Sequence, residues 1–161
     1  MNDRNCESYV RWTDYETGEV CVSFEDEDGI WERRTFTSHT DNVTITEIKK
    51  SSKDSKIDMV ISIDDVSSMK KFGLRDENFM QYKKLVDEDG SYIAQAAHYP
   101  SYEGSELKNG GYAGVTYVLN IGGTKEKILL ENTDEKQNVG EEQNPAVKIC
   151  GAEAVYLITK T

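Results

Sequence analysis

Apolar and polar side chains alternate with a period of two along much of the chain, the pattern of strands with one buried face. Val20, Val22 and Phe24 alternate with Cys21, Ser23 and Glu25, so the first three share an apolar face. Residues 26–29 read Asp-Glu-Asp-Gly, the short acids and glycine that a tight reversal needs. Residues 30–37 return, residues 38–42 make a second turn, and residues 43–48 form a third strand. An antiparallel meander is therefore expected over residues 19–50. Upstream, Tyr9, Val10 and Trp12, followed by Thr17-Gly18, predict a short strand that enters the meander by a turn.

The most regular alternation follows a charged turn at residues 51–56. Ile57, Met59, Ile61 and Ile63 alternate there with Asp58, Val60, Ser62 and Asp64. In residues 65–78, Val66, Met69 and Phe72 have rough helical spacing, but Gly73 and the surrounding charges favour a loop. Residues 79–86 and 91–98 flank a second Asp-Glu-Asp-Gly at 87–90, so one hairpin device is used twice. Pro100, Gly104, Gly110 and Gly111 mark residues 99–111 as a long irregular connection, a kind of segment that often carries function. Residues 112–121 alternate again, Gly122-Gly123 turns the chain, and residues 127–130 make a short strand. Residues 131–143 have the composition of a solvated loop, and residues 147–150 and 154–159 close the chain as two short strands. About ten strands with little or no helix predict an all-β fold, an antiparallel β-sandwich, with residues 1–161 as a single domain.

Charge narrows the function classes. Thirty acidic against 19 basic residues give a net charge of −11, which repels phosphate backbones and anionic membrane surfaces. Nucleic acid and membrane are not expected partners. Cys6, Cys21 and Cys150 lie far apart without CxxC spacing, which predicts free thiols and neither a disulfide framework nor a metal site. No apolar run approaches the about 20 residues of a membrane span, and the start lacks the apolar core of a signal peptide. As written, a cytoplasmic chain is expected, with no cofactor.

The wording of residues 29–50, GIWERRTFTSHTDNVTITEIKK, resembles the segment G-V-x-[FY]-x-R-E-x-F-x-S-[HY]-P-D-x-V of glycoside hydrolase family 95 N-terminal domains. Gly29, Arg33, Phe36, Ser38, His39, Asp41 and Val43 fit it, and residues 14–22 resemble the preceding D-L-x-T-G-x-V strand. Arg34 stands where that family usually has an acid, and Thr40 where it has proline. Downstream, Gly122-Gly123 and residues 150–157, CGAEAVYL, are similar to the G-G and V-x-G-A-D-x-V-x-L that end the same domain. The resemblance implies a β-super-sandwich, related to that of family 65, which precedes a helical-barrel catalytic domain acting on α-L-fucosides or related sugars. It also implies that the chain is one part of a larger N-terminal domain, non-catalytic by itself. A free-standing carbohydrate-binding module is the alternative.

Candidate sites are few. Paired carboxylates for glycoside hydrolysis must sit about 5 to 9.5 Å apart, and the best local pair, Asp64-Asp65, falls on opposite faces of a strand end. The Asp-Glu-Asp-Gly runs lack the spacing of an EF-hand calcium loop. His39 is expected to make a turn hydrogen bond. His98, Tyr99, Tyr102 and Tyr112 cluster around the glycine-containing connection, and aromatic faces with polar tips suit carbohydrate contact. Finally, if leading strands of the sandwich are missing, Val20, Val22, Phe24 and Ile57 to Ile63 need a cover, and a homodimer would supply one.

Overall fold

A computed structural model of the chain describes residues 6–52, 56–63, 81–98, 110–130 and 144–161. Eleven strands form: β1 Glu7–Asp14, β2 Glu19–Asp26, β3 Gly29–Ser38, β4 Val43–Ser51, β5 Ile57–Ile61, β6 Gln81–Val86, β7 Tyr92–His98, β8 Gly111–Ile121, β9 Thr124–Leu130, β10 Asn144–Ala152 and β11 Ala154–Lys160. No helix occurs among the described residues. The all-β expectation holds, and each strand segment read from the pattern forms a strand, with β9 longer at its start and β10 longer at both ends than the periodicity marked. The sequence reading of residues 65–78 and 131–143 as loops, and most of the connection at 99–111, lies outside the described residues.

The strands divide into two antiparallel sheets. One has eight strands in the order β1-β2-β3-β4-β11-β8-β7-β6, and the other has three in the order β5-β10-β9. The last strand of the chain is thus central in the large sheet, joining the meander β1–β4 to the meander β6–β8. Its sequence AVYLITK explains the position. Val155 and Leu157 point to one face while Tyr156 and Ile158 point to the other, and a strand apolar on both faces belongs inside a sheet.

The core lies between the small sheet and one half of the large one. Ile57, Val147, Ile149 and Ala152 from the small sheet pack with Val86, Ile93, Val118 and Val155 from the large sheet, all essentially inaccessible to water. Ile57, Met59 and Ile61 in β5 alternate with the exposed Asp58 and Val60, as their spacing predicts. The small sheet is only three strands wide, so it covers the half formed by β11, β8, β7 and β6.

The strands β1, β2 and β3 extend past this cover as a wing, joined to the core by Trp31 of β3, which packs against it. Every residue of β1 before Asp14 is exposed. The expectation of one apolar face on β2 is met only in part, because Cys21 is as buried as Val22, at 3% and 5% exposed. The register gives the reason. Val22 lies between Arg11 and Arg33 on one face, and Cys21 between Trp12 and Arg34 on the other, so long side chains from both neighbours flank the middle strand. Phe24 stacks on Trp31, ring centroids 6.2 Å apart. The inner residues expected to need an intermolecular cover are therefore largely covered within the chain.

Candidate functional site

Local chemistry at the turns is satisfied by the main chain. Asp26 Oδ1 accepts hydrogen bonds from the Asp28 amide at 2.9 Å and from Trp31 Nε1 at 3.0 Å. In the second Asp-Glu-Asp-Gly, Asp87 Oδ1 accepts from the Tyr92 amide at 2.8 Å and Asp89 Oδ1 from the Ser91 amide at 3.0 Å. These carboxylates hold turns, in agreement with the sequence reading, and no group of three metal-ligating side chains is found among the described residues. In the turn after β3, the hydrogen bonds run between Ser38 and Asp41, with Ser38 Oγ donating to Asp41 Oδ2 at 2.6 Å. His39 is exposed beside them, so the hydrogen bond expected of it is made instead by Ser38 and Asp41.

The most connected polar cluster sits on the outer face of the large sheet. Tyr156 Oη donates to Glu47 Oε1 at 2.7 Å, and Lys49 Nζ lies 2.7 Å from the same oxygen. Partial burial pulls the Glu47 carboxyl up, but hydrogen bonds from Lys49 and Tyr156 outweigh it and hold the group below its ordinary value. The same contact with Glu47 raises the pKa of Lys49 and of Tyr156. Asp14 is lowered by the amides of Glu16 and Thr17, Asp89 by Ser91 and Asp87, and Glu153 by Lys56. A glycosidase needs one carboxyl raised so that it can donate a proton to the leaving oxygen. Each described carboxylate with a resolved shift is moved the opposite way, toward a permanent anion.

Two of the sequence-predicted carbohydrate residues, His98 and Tyr112, fall at one end of β7 and β8. The register sets His98 opposite Gly111 and Ala97 opposite Tyr112, so His98 and Tyr112 stand at the same end of neighbouring strands but in successive pairs, which belong to opposite faces of the sheet. Tyr112 is 37% exposed. Tyr99 and Tyr102 lie outside the described residues, as do Asp64 and Asp65.

A surface feature that the sequence reading passed over runs across the outer face. Phe36, Ile45, Ile158, Tyr117 and Tyr92 are successive partners across β3, β4, β11, β8 and β7, and so form one unbroken apolar row. The signal was present in the double-sided apolar character of β8 and β11, which periodicity analysis reads only for the presence of a strand. Cys6, Cys21 and Cys150 are free thiols, as expected.

Residues 1–158 match the family model for the glycosyl hydrolase family 65 N-terminal domain. No curated protein matches the chain.

Proposed function

The chain belongs to the glycosyl hydrolase family 65 N-terminal domain family, and on that premise we propose that it is a non-catalytic accessory β-sandwich of a glycoside hydrolase. The observation that carries the reading is the match over residues 1–158. The lowered carboxyls of Asp14, Glu47, Asp89 and Glu153 agree with it, since a proton donor to a glycosidic oxygen is raised. The catalytic carboxylates then belong to a partner domain of the parent protein, and the chain's own work is to brace that partner. The finer reading follows from motif order: a family 95-like parent acting on α-L-fucosides or related sugars, with this chain as one β-sandwich unit of its N-terminal domain. Incubation of the chain with aryl fucosides and galactosides tests the first part. No turnover is expected, whereas hydrolysis abolished by a single Asp or Glu substitution overturns it. Assay of the parent protein on fucosides against other α-glycosides tests the second.

A second reading, a carbohydrate-binding module, rests on the sequence alone, where Tyr99, Tyr102 and Tyr112 accompany the glycines of residues 99–111. Calorimetric titration with fucose, galactose and plant oligosaccharides decides it. Heat that disappears in Tyr112→Ala supports sugar contact, and silence at millimolar sugar removes it.

A further inference from the structure

No described sheet packs on the outer face of the large sheet, where Lys125 of β9 alone reaches the Tyr117 ring, 5.5 Å from its centroid, yet the centre of this face has the composition of an interface core. Around the row Phe36–Ile45–Ile158–Tyr117–Tyr92 lie Val115, Ala94 and Leu85 on one side and Tyr156 and Leu119 on the other. Phe36, Tyr92, Val115 and Leu85 are 38%, 48%, 44% and 64% exposed. Six strands spaced by about 4.8 Å, over seven residues at about 3.4 Å each, give a face of roughly 700 Å². A standard interface buries about 800 Å² per partner, with an aromatic-rich apolar centre and a charged rim.

We propose that this face is a self-association surface, its occupant a second copy of the same chain packed sheet to sheet. Three observations select the copy. The first is charge: two molecules at −11 repel over most of their surface, but from β3 to β6 the outer face carries Arg34, Lys49, Lys83 and Lys160 against Glu32 and Glu47. It is the place where acids do not dominate.

The second observation is self-complementarity. A two-fold axis lying along the apolar row stacks the row on its own copy, as an isologous contact requires. Glu47 lies on one side of the row and Lys160 on the other. The same rotation therefore brings Lys160 of one chain toward Glu47 of the second copy. The third observation is that the edge strands of the large sheet, among the described residues, are blunted against strand addition. The β1–β2 pairing is irregular between Glu7 and Val10, where Ser8 takes a left-handed φ of 53°, and β6 carries the exposed Lys83. Bulges and lysines are the usual protection of an edge, which leaves the face as the route to association.

Sedimentation equilibrium across a hundredfold dilution of the chain tests the proposal. The mass is expected to rise with concentration toward twice the 18.2 kDa of one chain. Phe36→Lys and Tyr92→Lys are expected to weaken association by at least about tenfold, as for centrally placed aromatic residues. Leu129→Lys, an equally exposed site on the small sheet, leaves it unchanged. Hydroxyl-radical footprinting of the unsubstituted chain makes the test independent of how the variants fold. Tyr92, Tyr117 and Phe36 gain protection at high concentration, while Tyr9 and Tyr15 in the wing do not. A monomer at every concentration overturns the proposal. So does an association that the two face substitutions leave intact, or one that leaves Tyr92 and Phe36 fully labelled.

Discussion

The wing of β1, β2 and β3 and the closed half around β8, β10 and β11 are made of the same kind of strand but held by different forces. In the closed half, Ile57, Ile149, Val118, Val147 and Val155 are wholly removed from water between two sheets. In the wing, only Cys21 and Val22 are buried, each flanked by side chains of the adjacent strands. The closed half draws on the hydrophobic effect, about 25 cal/mol for each Å² of apolar surface removed from water. The wing depends on its backbone ladder and on cross-strand pairs such as Phe24 with Trp31 and Thr35 with Thr46, worth roughly 0.2 to 1 kcal/mol each. The two meanders are thus alike in sequence pattern and unlike in what removal of one side chain should do.

The largest expected effect is in the core. Ile149→Ala leaves a cavity between the sheets and should lower the unfolding free energy by about 2 to 5 kcal/mol, read from the midpoint of urea denaturation. Val22→Ala in the wing removes less volume from a site that its neighbours can collapse onto, and should cost about 1 to 2 kcal/mol. Equal losses at the two positions would erase the distinction.

The next contrast is between two left-handed glycines. At Gly123, with φ of 64°, an added Cβ meets the Cys150 carbonyl oxygen and the backbone of Gly151, where the two ends of β9 and β10 approach. At Gly18, with φ of 74°, the same Cβ meets nothing within 4 Å. Gly18→Ala therefore bears only the cost of the left-handed backbone, about 1 to 2 kcal/mol, and Gly123→Ala should lose clearly more. Thermal melts of the pair check the order.

Smaller again is the pH response of the Glu47 cluster, which borders the closed half. The Glu47 carboxyl is lowered in the folded chain, so its contribution is present above the ordinary carboxylate range and is lost as pH falls through the lowered value. Lys49 and Tyr156 are raised, so theirs is present below their ordinary values and is lost as pH rises through the raised ones. Tyr156→Phe should shrink both losses, measured as a flatter profile of urea midpoint against pH. An unchanged profile would mean that the cluster is formed equally in the unfolded chain.

Local pattern made the strands legible because each is written in its own residues. Ile57, Met59 and Ile61 alternate as they are buried, and both Asp-Glu-Asp-Gly runs turn the chain. Sheet membership was not legible, because nothing within AVYLITK states that its neighbours are β4 and β8; that choice is made by long-range packing. The outer apolar row escaped notice for the same reason, since its five members come from five strands and become neighbours only once the order is known. Of the carbohydrate candidates, His98 and Tyr112 share one end of the sheet but belong to opposite faces of it, while Tyr99 and Tyr102 stand outside the described residues.

Native-state hydrogen exchange in low urea measures the difference between the two regions most directly. Amides of β1, β2 and β3 should exchange through local openings of lower free energy than global unfolding, with little dependence on urea. Amides of β8, β10 and β11 should exchange only with the full unfolding transition and its urea dependence. One common free energy for all the strands would contradict the account, because the wing would then be held as firmly as the core that it touches through Trp31.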